Sequence, residues 1–332
     1  MTLLKIEDLT IKFKSRKGTV TAVDQLNLEL EKGTSLGIVG ESGSGKSVTS
    51  LAIMGLLQDG NTEISGSIKF DDQDLLTLSA EEKRKIRGKS VSMIFQEPMT
   101  SLNPLHTCGK QIMEPILIHQ KDVSKQQAKE AAIEMLRMVG IPSPEQRFHE
   151  YPHQMSGGMR QRIMIAIALV CHTKLLIADE PTTALDVTIQ AQILDLMNKL
   201  SKDSEMSILM ISHDLGVVKE MCEDVIVMYT GQIVEKSPTK SVFDDPLHPY
   251  TKGLLNAIPK ISSEVERLEA IEGNVPDALN MPTGCHFQPR CKFAMERCKQ
   301  EEPPLYKQED GREVRCFLYD ELGKDEDKNA TN

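Results

Sequence analysis

The fold of this 332-residue chain is decided by one glycine-rich loop, Gly40-Glu41-Ser42-Gly43-Ser44-Gly45-Lys46-Ser47. An apolar run over residues 35–39 precedes the loop and the segment from Ser47 to Met54 follows it, which predicts a strand, a tight turn and a helix. In such a turn, backbone N–H groups point at phosphate oxygens and the helix N-terminus adds positive potential. The loop therefore predicts a nucleoside triphosphate site in an α/β fold.

The side chains of this loop indicate how it would hold a nucleotide. Lys46 can reach the β- and γ-phosphates, and the Ser47 hydroxyl can ligate Mg²⁺. The predicted nucleotide contacts run along the whole loop into the helix and are Gly40, Glu41, Ser42, Gly43, Ser44, Gly45, Lys46, Ser47 and Val48.

A second motif, Lys174 to Glu180, predicts a buried parallel strand because its apolar run is continuous rather than alternating. Its two carboxylates would emerge at the carboxyl end of the strand, where nucleotides bind in such sheets. Asp179 is the candidate that holds Mg²⁺ through its water shell, and Glu180 the candidate that polarises the attacking water.

Further motifs occur in an order that resembles the ATP-binding-cassette (ABC) ATPases. Ser156-Gly157-Gly158-Met159-Arg160-Gln161 resembles the family's signature, although Met159 stands where the family usually has Gln. The resemblance covers roughly residues 3 to 240 and implies ATP hydrolysis, with ATP and Mg²⁺ as cofactors. It also implies roles outside the loop: Phe13 stacks on adenine, Gln96 lies in the Q-loop as a Mg²⁺ and catalytic residue, Asp186 belongs to the D-loop Ala184-Leu185-Asp186, and His213 is the catalytic switch histidine beside Glu180.

The resemblance further implies a two-cassette arrangement. Ser156 is predicted to cap a helix, so that its hydroxyl, two glycine N–H groups and the helix dipole face outward. In the family, two cassettes pack head to tail and each signature closes on the nucleotide of its partner. The expected residues of this contact are Ser156, Gly157, Gly158, Gln161 and Asp186.

The implied fold is α/β: a P-loop NTPase (RecA-like) core with an antiparallel β subdomain and an inserted helical subdomain, plus a small cysteine-rich C-terminal extension. The expected boundaries are 1–245 for the ATPase domain, about 97–168 for its helical part, 246–322 for the extension and 323–332 for a disordered tail. Within the helical part, Ser124 is predicted to cap a helix from Lys125 to Val139.

Residues after Gln96 would form the hinge between the lobes. We expect Pro98, Met99 and the stretch from Leu102 to Leu105 to form a groove that receives a coupling helix from a membrane subunit.

Composition excludes several classes of protein. The net charge of −10 argues against a general nucleic-acid-binding surface. No apolar stretch approaches the ~20 residues that span a bilayer, and the N-terminus lacks the layout of a signal peptide. These features predict a chain that stays in the cytoplasm, and the family resemblance implies a peripheral location on the cytoplasmic face of the cell membrane.

The chain carries four closely spaced cysteines, Cys285, Cys291, Cys298 and Cys316. A reducing cytosol disfavours disulfides, whereas four thiolates suit zinc or an iron–sulfur cluster. The spacing lacks the paired C-x₂-C knuckles of common zinc sites. Resemblance to the ATPases of peptide importers favours a [4Fe–4S] cluster over zinc or no metal.

The segment from His248 to Leu255 also resembles that of oligopeptide and dipeptide importers. The expected function is ATP-driven import of such peptides, with two membrane permeases, a second ABC ATPase and an extracytoplasmic solute-binding protein. A heterodimer of cassettes is preferred over a homodimer. The alternatives are an importer of nickel, a metal chelate or glutathione, and a soluble ABC protein of DNA repair or translation, which the single cassette argues against.

Overall fold

The computed structural model describes residues 1–57, 60–96, 101–182, 186–257 and 271–320. Some sequence expectations lie outside these ranges: those for Pro98 and Met99 in the hinge, for Ala184 and Leu185 in the D-loop, and for the tail 323–332. None of the helices in the described ranges combines the length and apolar character that a membrane span requires.

The described residues alternate between strands and helices along most of the chain. Strands β1 to β12 are Thr2–Ser15, Gly18–Glu31, Ser35–Val39, Thr62–Phe70, Gln73–Asp74, Val91–Ile94, Leu175–Asp179, Ser207–Ser212, Asp224–Tyr229, Gln232–Pro238, Tyr306–Lys307 and Glu313–Val314. Helices α1 to α11 are Lys46–Ile53, Ala80–Ile86, Cys108–His119, Lys125–Met138, Pro144–Arg147, Gly157–Leu169, Val187–Ser204, Leu215–Met221, Thr239–Asp244, Pro249–Asn256 and Glu296–Gln300.

The larger sheet brings the ends of its parallel strands to one edge. Its order over the described residues is β11-β12-β10-β9-β3-β8-β7-β6, in which β9, β3, β8, β7 and β6 run parallel. Strands β7 and β8 are buried at every position, as expected of parallel strands covered on both faces. The loops after β3, β6, β7 and β8 therefore meet at the carboxyl edge, where ligands bind in such sheets.

The smaller sheet is antiparallel, with the order β2-β1-β4-β5 in the described part of the chain. It packs on the larger sheet through a shared apolar cluster, in which Leu4, Leu26 and Ile68 of the small sheet meet Ile38 and Ile177 of the large one. Leu4, Leu26, Ile38, Ile68 and Ile177 are all fully buried. The nucleotide loop is thus seated between two sheets that share one core.

Helices α3 to α6 form the part of the structure between β6 and β7. Ser124 caps α4 with a capping box to Gln127, and the helix predicted to reach Val139 ends at Met138. The expected surface groove is wrong at Leu102, which is only 3% exposed and belongs to the large core cluster. Leu105, by contrast, is 81% exposed.

The C-terminal segment, defined here as residues 271–320, consists of short elements and turns. Strand β12 pairs with β10 and so adds β11 and β12 to the edge of the large sheet. Phe287 packs among Tyr229, His248 and Tyr250 with ring centroids 5.3, 5.7 and 5.5 Å away. The segment is therefore packed against the core directly behind the nucleotide loop.

Candidate nucleotide-binding site

The glycine-rich loop needs glycine at two positions for steric reasons. Gly40 and Gly45 have φ values of +152° and +100°, which L-residues rarely adopt. A Cβ on Gly40 would overlap the carbonyl oxygen of Met228, and one on Gly45 would lie 2.5 Å from that of Ala22. The loop therefore lies tightly against β2 and the end of β9, with α1 starting at Lys46.

Lys46 is held inside the loop by the loop's own oxygens. Its Nζ donates to the carbonyls of Gly40 at 2.6 Å and Glu41 at 2.9 Å. Burial lowers the pKa of Lys46, while the carboxylates of Glu180, Asp179 and Glu41 act in the opposite direction. A cation in this position is suited to phosphate oxygens that approach the loop.

Ser47 and Asp179 join the start of α1 to the end of β7. The Ser47 hydroxyl donates to Asp179 Oδ1 at 3.2 Å. Asp179 is 5% exposed, and burial raises the pKa of its carboxyl. A hydroxyl and a carboxylate placed together are oxygen donors of the kind that Mg²⁺ prefers, so these two residues fit a magnesium ion.

Glu180 is contacted from both neighbouring strands. Gln96 Nε2 donates to its Oε2 at 2.7 Å, and His213 Nδ1 lies 3.0 Å from its Oε1. Glu180 itself has φ of +49°, a conformation that costs energy in a non-glycine residue and recurs at functional sites. Gln96 and His213 therefore both contact the Glu180 carboxylate, although each is 33 or more positions away from it in the sequence.

The signature residues lie at the exposed N-terminus of α6. Ser156 caps the helix by accepting a hydrogen bond from the Met159 N–H at 3.3 Å, and Ser156 and Gly157 are exposed. Gly158 is closer packed, because an added Cβ would lie 3.0 Å from Ile189. Hydroxyl and N–H groups at a helix N-terminus form an arrangement that can bind an anion.

Three other predicted site residues occupy different surroundings. Gln161 is buried and donates to the carbonyl of Pro181, so it ties α6 to the strand end that carries Glu180. Asp186 is exposed and caps α7 by accepting from the Ile189 N–H at 3.0 Å. Phe13 is half-buried on β1 and packs against the core shared by the two sheets.

Sequence reasoning missed two contacts to the loop from the far end of the chain. The guanidinium of Arg290 forms two hydrogen bonds with the Glu41 carboxylate, at 2.6 and 3.2 Å. Tyr250 accepts a hydrogen bond from the Glu41 N–H at 2.8 Å through its hydroxyl oxygen. Tyr250 lies in the segment from His248 to Leu255, but no residue pattern there predicts a contact with the loop. The sequence around Arg290 does not predict such a contact either.

The four clustered cysteines are free thiols in one short part of the C-terminal segment. Burial raises the pKa of Cys285 to about 11 and that of Cys316 to about 12, with neighbouring thiols adding to both shifts. Over the described residues, however, no three Cys, His, Asp or Glu side chains converge as a metal site. The geometry therefore gives no support to the expected iron–sulfur cluster.

Comparisons with known sequences match two parts of the chain to families. Residues 23–183 match a family described as "ABC transporter", and residues 234–298 match "Oligopeptide/dipeptide transporter, C-terminal region". Oligopeptide transport ATP-binding protein AppD of Bacillus subtilis (strain 168) is 54% identical over 98% of this chain and 99% of its own length. Oligopeptide transport ATP-binding protein OppD of Escherichia coli (strain K12) is 51% identical over 95% of this chain and 93% of its own.

Solved structures give the same result for the fold. A dimeric ATP-binding cassette in a post-hydrolysis state, bound to ADP and Pi, matches with a TM-score of 0.65 and 27% identity, over 71% of this chain and 99% of that one. The cbiO1 protein from Clostridium perfringens, part of an ABC transporter complex, matches with a TM-score of 0.62 and 27% identity, over 74% of this chain and 91% of its own.

Proposed function

The chain belongs to the ABC transporter ATPases, and within that family we propose that it hydrolyses ATP to drive the import of oligopeptides or dipeptides across the cell membrane. The observation that carries the cargo assignment is the match of residues 234–298 to the C-terminal region of oligopeptide and dipeptide transporters. The curated relatives are named as oligopeptide or dipeptide transport proteins over nearly the whole chain, which disfavours nickel, metal chelates and glutathione as cargo.

The proposed chemistry follows from the contacts at the sheet edge. Lys46 and the loop N–H groups bind the β- and γ-phosphates, and Ser47 and Asp179 would hold Mg²⁺, which would neutralise phosphate charge. Glu180 accepts a proton from the attacking water. Gln96 and His213, at 2.7 and 3.0 Å, hold the Glu180 carboxylate in place for this step.

The exposed signature supports a head-to-tail dimer as the working form. Ser156, Gly157 and Gly158 present an anion-binding helix end, which would close on the nucleotide of a partner cassette. Asp186 caps the neighbouring helix α7 and would face the same partner. ATP would then stabilise the closed dimer and hydrolysis would release it, a population shift driven by differential affinity.

The proposed partners are two membrane permeases, a second ABC ATPase and an extracytoplasmic solute-binding protein. A heterodimer of two cassettes is preferred, with a homodimer as the alternative. This assembly would place the chain on the cytoplasmic face of the membrane as a peripheral subunit. Nucleic acid is not a proposed partner, because the net charge of −10 opposes binding to a polyanion.

A metal at the four cysteines stays a prediction, with [4Fe–4S] preferred over zinc or no metal. Two backbone N–H groups donate to sulfur, from Phe293 to Cys291 and from Met295 to Cys298, although the described thiols do not converge as a metal site. Anaerobic purification followed by iron, sulfide and zinc analysis tests it. A protein that carries none of these elements in stoichiometric amount would contradict the prediction.

Purification of the tagged chain from gently solubilised membranes, followed by mass spectrometry, tests the proposed function. We expect two permeases, a second cassette and a solute-binding protein whose bound ligand is a peptide. Recovery with ribosomes or DNA-repair proteins alone would contradict the transport assignment, and a binding protein loaded with a metal chelate or glutathione would contradict the cargo.

A further inference from the structure

The C-terminal segment is joined to the nucleotide loop by a partly buried ion pair. Arg290 has a side chain that is only 4% exposed, and its guanidinium makes a bidentate contact to the carboxylate of Glu41, which is 31% exposed. Bidentate Arg–carboxylate pairs are among the stronger hydrogen-bonded contacts because both charges and both bonds are aligned. The pair connects positions that are 249 residues apart in the sequence.

The guanidinium is also held from its other sides. It lies 5.9 Å from the ring centroid of Tyr229 and 6.0 Å from that of Phe287, and it donates to the carbonyl of Glu272 at 3.2 Å. Tyr250, packed 4.7 Å from Tyr229, accepts the Glu41 N–H. Both the backbone and the side chain of Glu41 are therefore positioned by residues from beyond the ABC core.

The charge of Glu41 makes this contact relevant to ATP. Glu41 is the second residue of the loop, and the Lys46 ammonium group donates a hydrogen bond to its backbone carbonyl at 2.9 Å. A free carboxylate there would repel the triphosphate and compete with it for Lys46. Arg290 neutralises this carboxylate while leaving Lys46 available to phosphate.

We propose that Arg290 is a positioning residue for ATP binding, which sets the affinity of the loop by neutralising and anchoring Glu41. This inference rests on the proposed ATPase function and deepens it. It gives the C-terminal segment a second role beside packing, because the segment adjusts the charge and the shape of the phosphate site.

The test is a double-mutant cycle on the full chain, read by ATP titration and by the KM and kcat of phosphate release. We expect Arg290→Met to raise the Kd and KM for ATP roughly tenfold with kcat changed less than about twofold, since the lost interaction acts on binding. Arg290→Lys keeps the charge without the bidentate geometry and is expected to raise KM about threefold. Arg290→Met combined with Glu41→Gln is expected to return KM to within about threefold of Glu41→Gln alone, because no unpaired carboxylate remains.

Arg312→Met is the matched control. Arg312 is another poorly exposed arginine of the same segment, which donates to the Asp245 carbonyl at 2.7 Å and carboxylate at 3.1 Å but belongs to a different contact with the core. We expect its KM for ATP to stay at the wild-type value.

Three outcomes would overturn the inference: an unchanged KM in Arg290→Met, an equal effect of Arg312→Met, or a double mutant no better than Arg290→Met. If Arg290→Met does not fold, a double-mutant cycle of Arg290→Lys and Glu41→Gln still tests the inference. Additive effects of these two substitutions on KM would mean that the two residues do not act together. A wild-type chain that fails to bind ATP would instead contradict the proposed function itself.

Discussion

At the scale of single residues, the neighbouring carboxylates of Asp179 and Glu180 lie in different surroundings. Asp179 is buried and bonded to Ser47, and burial raises the pKa of its carboxyl. Glu180 follows it directly but points between Gln96 and His213. Neighbouring carboxyl groups in different surroundings can have different functions, and the functions proposed here are metal binding for Asp179 and proton transfer for Glu180.

Replacement of Glu180 by Gln tests its role as the base. The amide keeps the size and an acceptor oxygen for Gln96 but cannot take a proton, so we expect ATP binding to persist while hydrolysis falls by about 100-fold or more. Size-exclusion chromatography with ATP is expected to show an accumulated dimer. Lys46→Ala is the control that should lose binding altogether. Normal turnover in Glu180→Gln would show that another group acts as the base.

His248 gives a prediction for pH. Burial lowers its pKa from 6.5 to about 3, so as the pH falls below 6.5 the unfolded chain binds a proton that the folded chain does not. Stability contributed by neutral His248 is therefore present above pH 6.5 and is lost as the pH falls towards 3, by up to about 1.4 kcal/mol per pH unit. Urea unfolding between pH 7 and 5 measures this slope.

His248→Asn removes the titration and keeps an acceptor that can cap α10, so its stability should fall less steeply between pH 7 and 5. His172→Asn is the control, because His172 is exposed and has φ of +55°, which Asn tolerates. Equal slopes for the wild type and His248→Asn would show that this histidine does not control acid stability.

At the scale of elements, Leu102 and Leu105 are three positions apart but differ completely in burial. Leu102 is buried in the core beside the helical region, whereas Leu105 projects into solvent before α3. We expect Leu105→Asp to reduce peptide-stimulated ATPase at least about tenfold, with an unchanged melting temperature, because an exposed position tolerates charge but a docking contact does not. Leu105→Met should remain coupled. Full coupling in Leu105→Asp would exclude this residue from the contact with the membrane subunit.

The elements that carry local signals could be predicted from the sequence. The strand Ser35–Val39 and the capped helix from Lys125 were expected because their apolar spacing and cap residues are adjacent in the chain. The burial of Leu102 depends on how its turn packs against the helices of the region between β6 and β7. The residues next to Leu102 in the sequence do not predict that packing. The Arg290–Glu41 pair is hidden for the same reason, since long-range packing alone brings the two residues together.

At the scale of the whole molecule, two different regions lie beside the nucleotide loop. On one side, the ends of β6, β7 and β8 bring Gln96, Glu180 and His213 together at the carboxyl edge of the sheet. On the other side, the C-terminal segment holds Glu41 through Arg290. In the proposed dimer, a second cassette would complete the anion site at the exposed signature on α6, and ATP binding and assembly would then depend on each other.

ATP-dependent uptake of a labelled oligopeptide into proteoliposomes that contain the purified importer tests the central claim most directly. Proteoliposomes with the wild-type chain are expected to accumulate peptide only when ATP is present on the side of the membrane that carries the ATPase subunits. Proteoliposomes with Glu180→Gln, assembled with the same partners, are expected to accumulate none. Peptide uptake that continues when Glu180→Gln is combined with the corresponding substitution in the partner cassette would contradict the account, and so would ATP hydrolysis that never moves peptide.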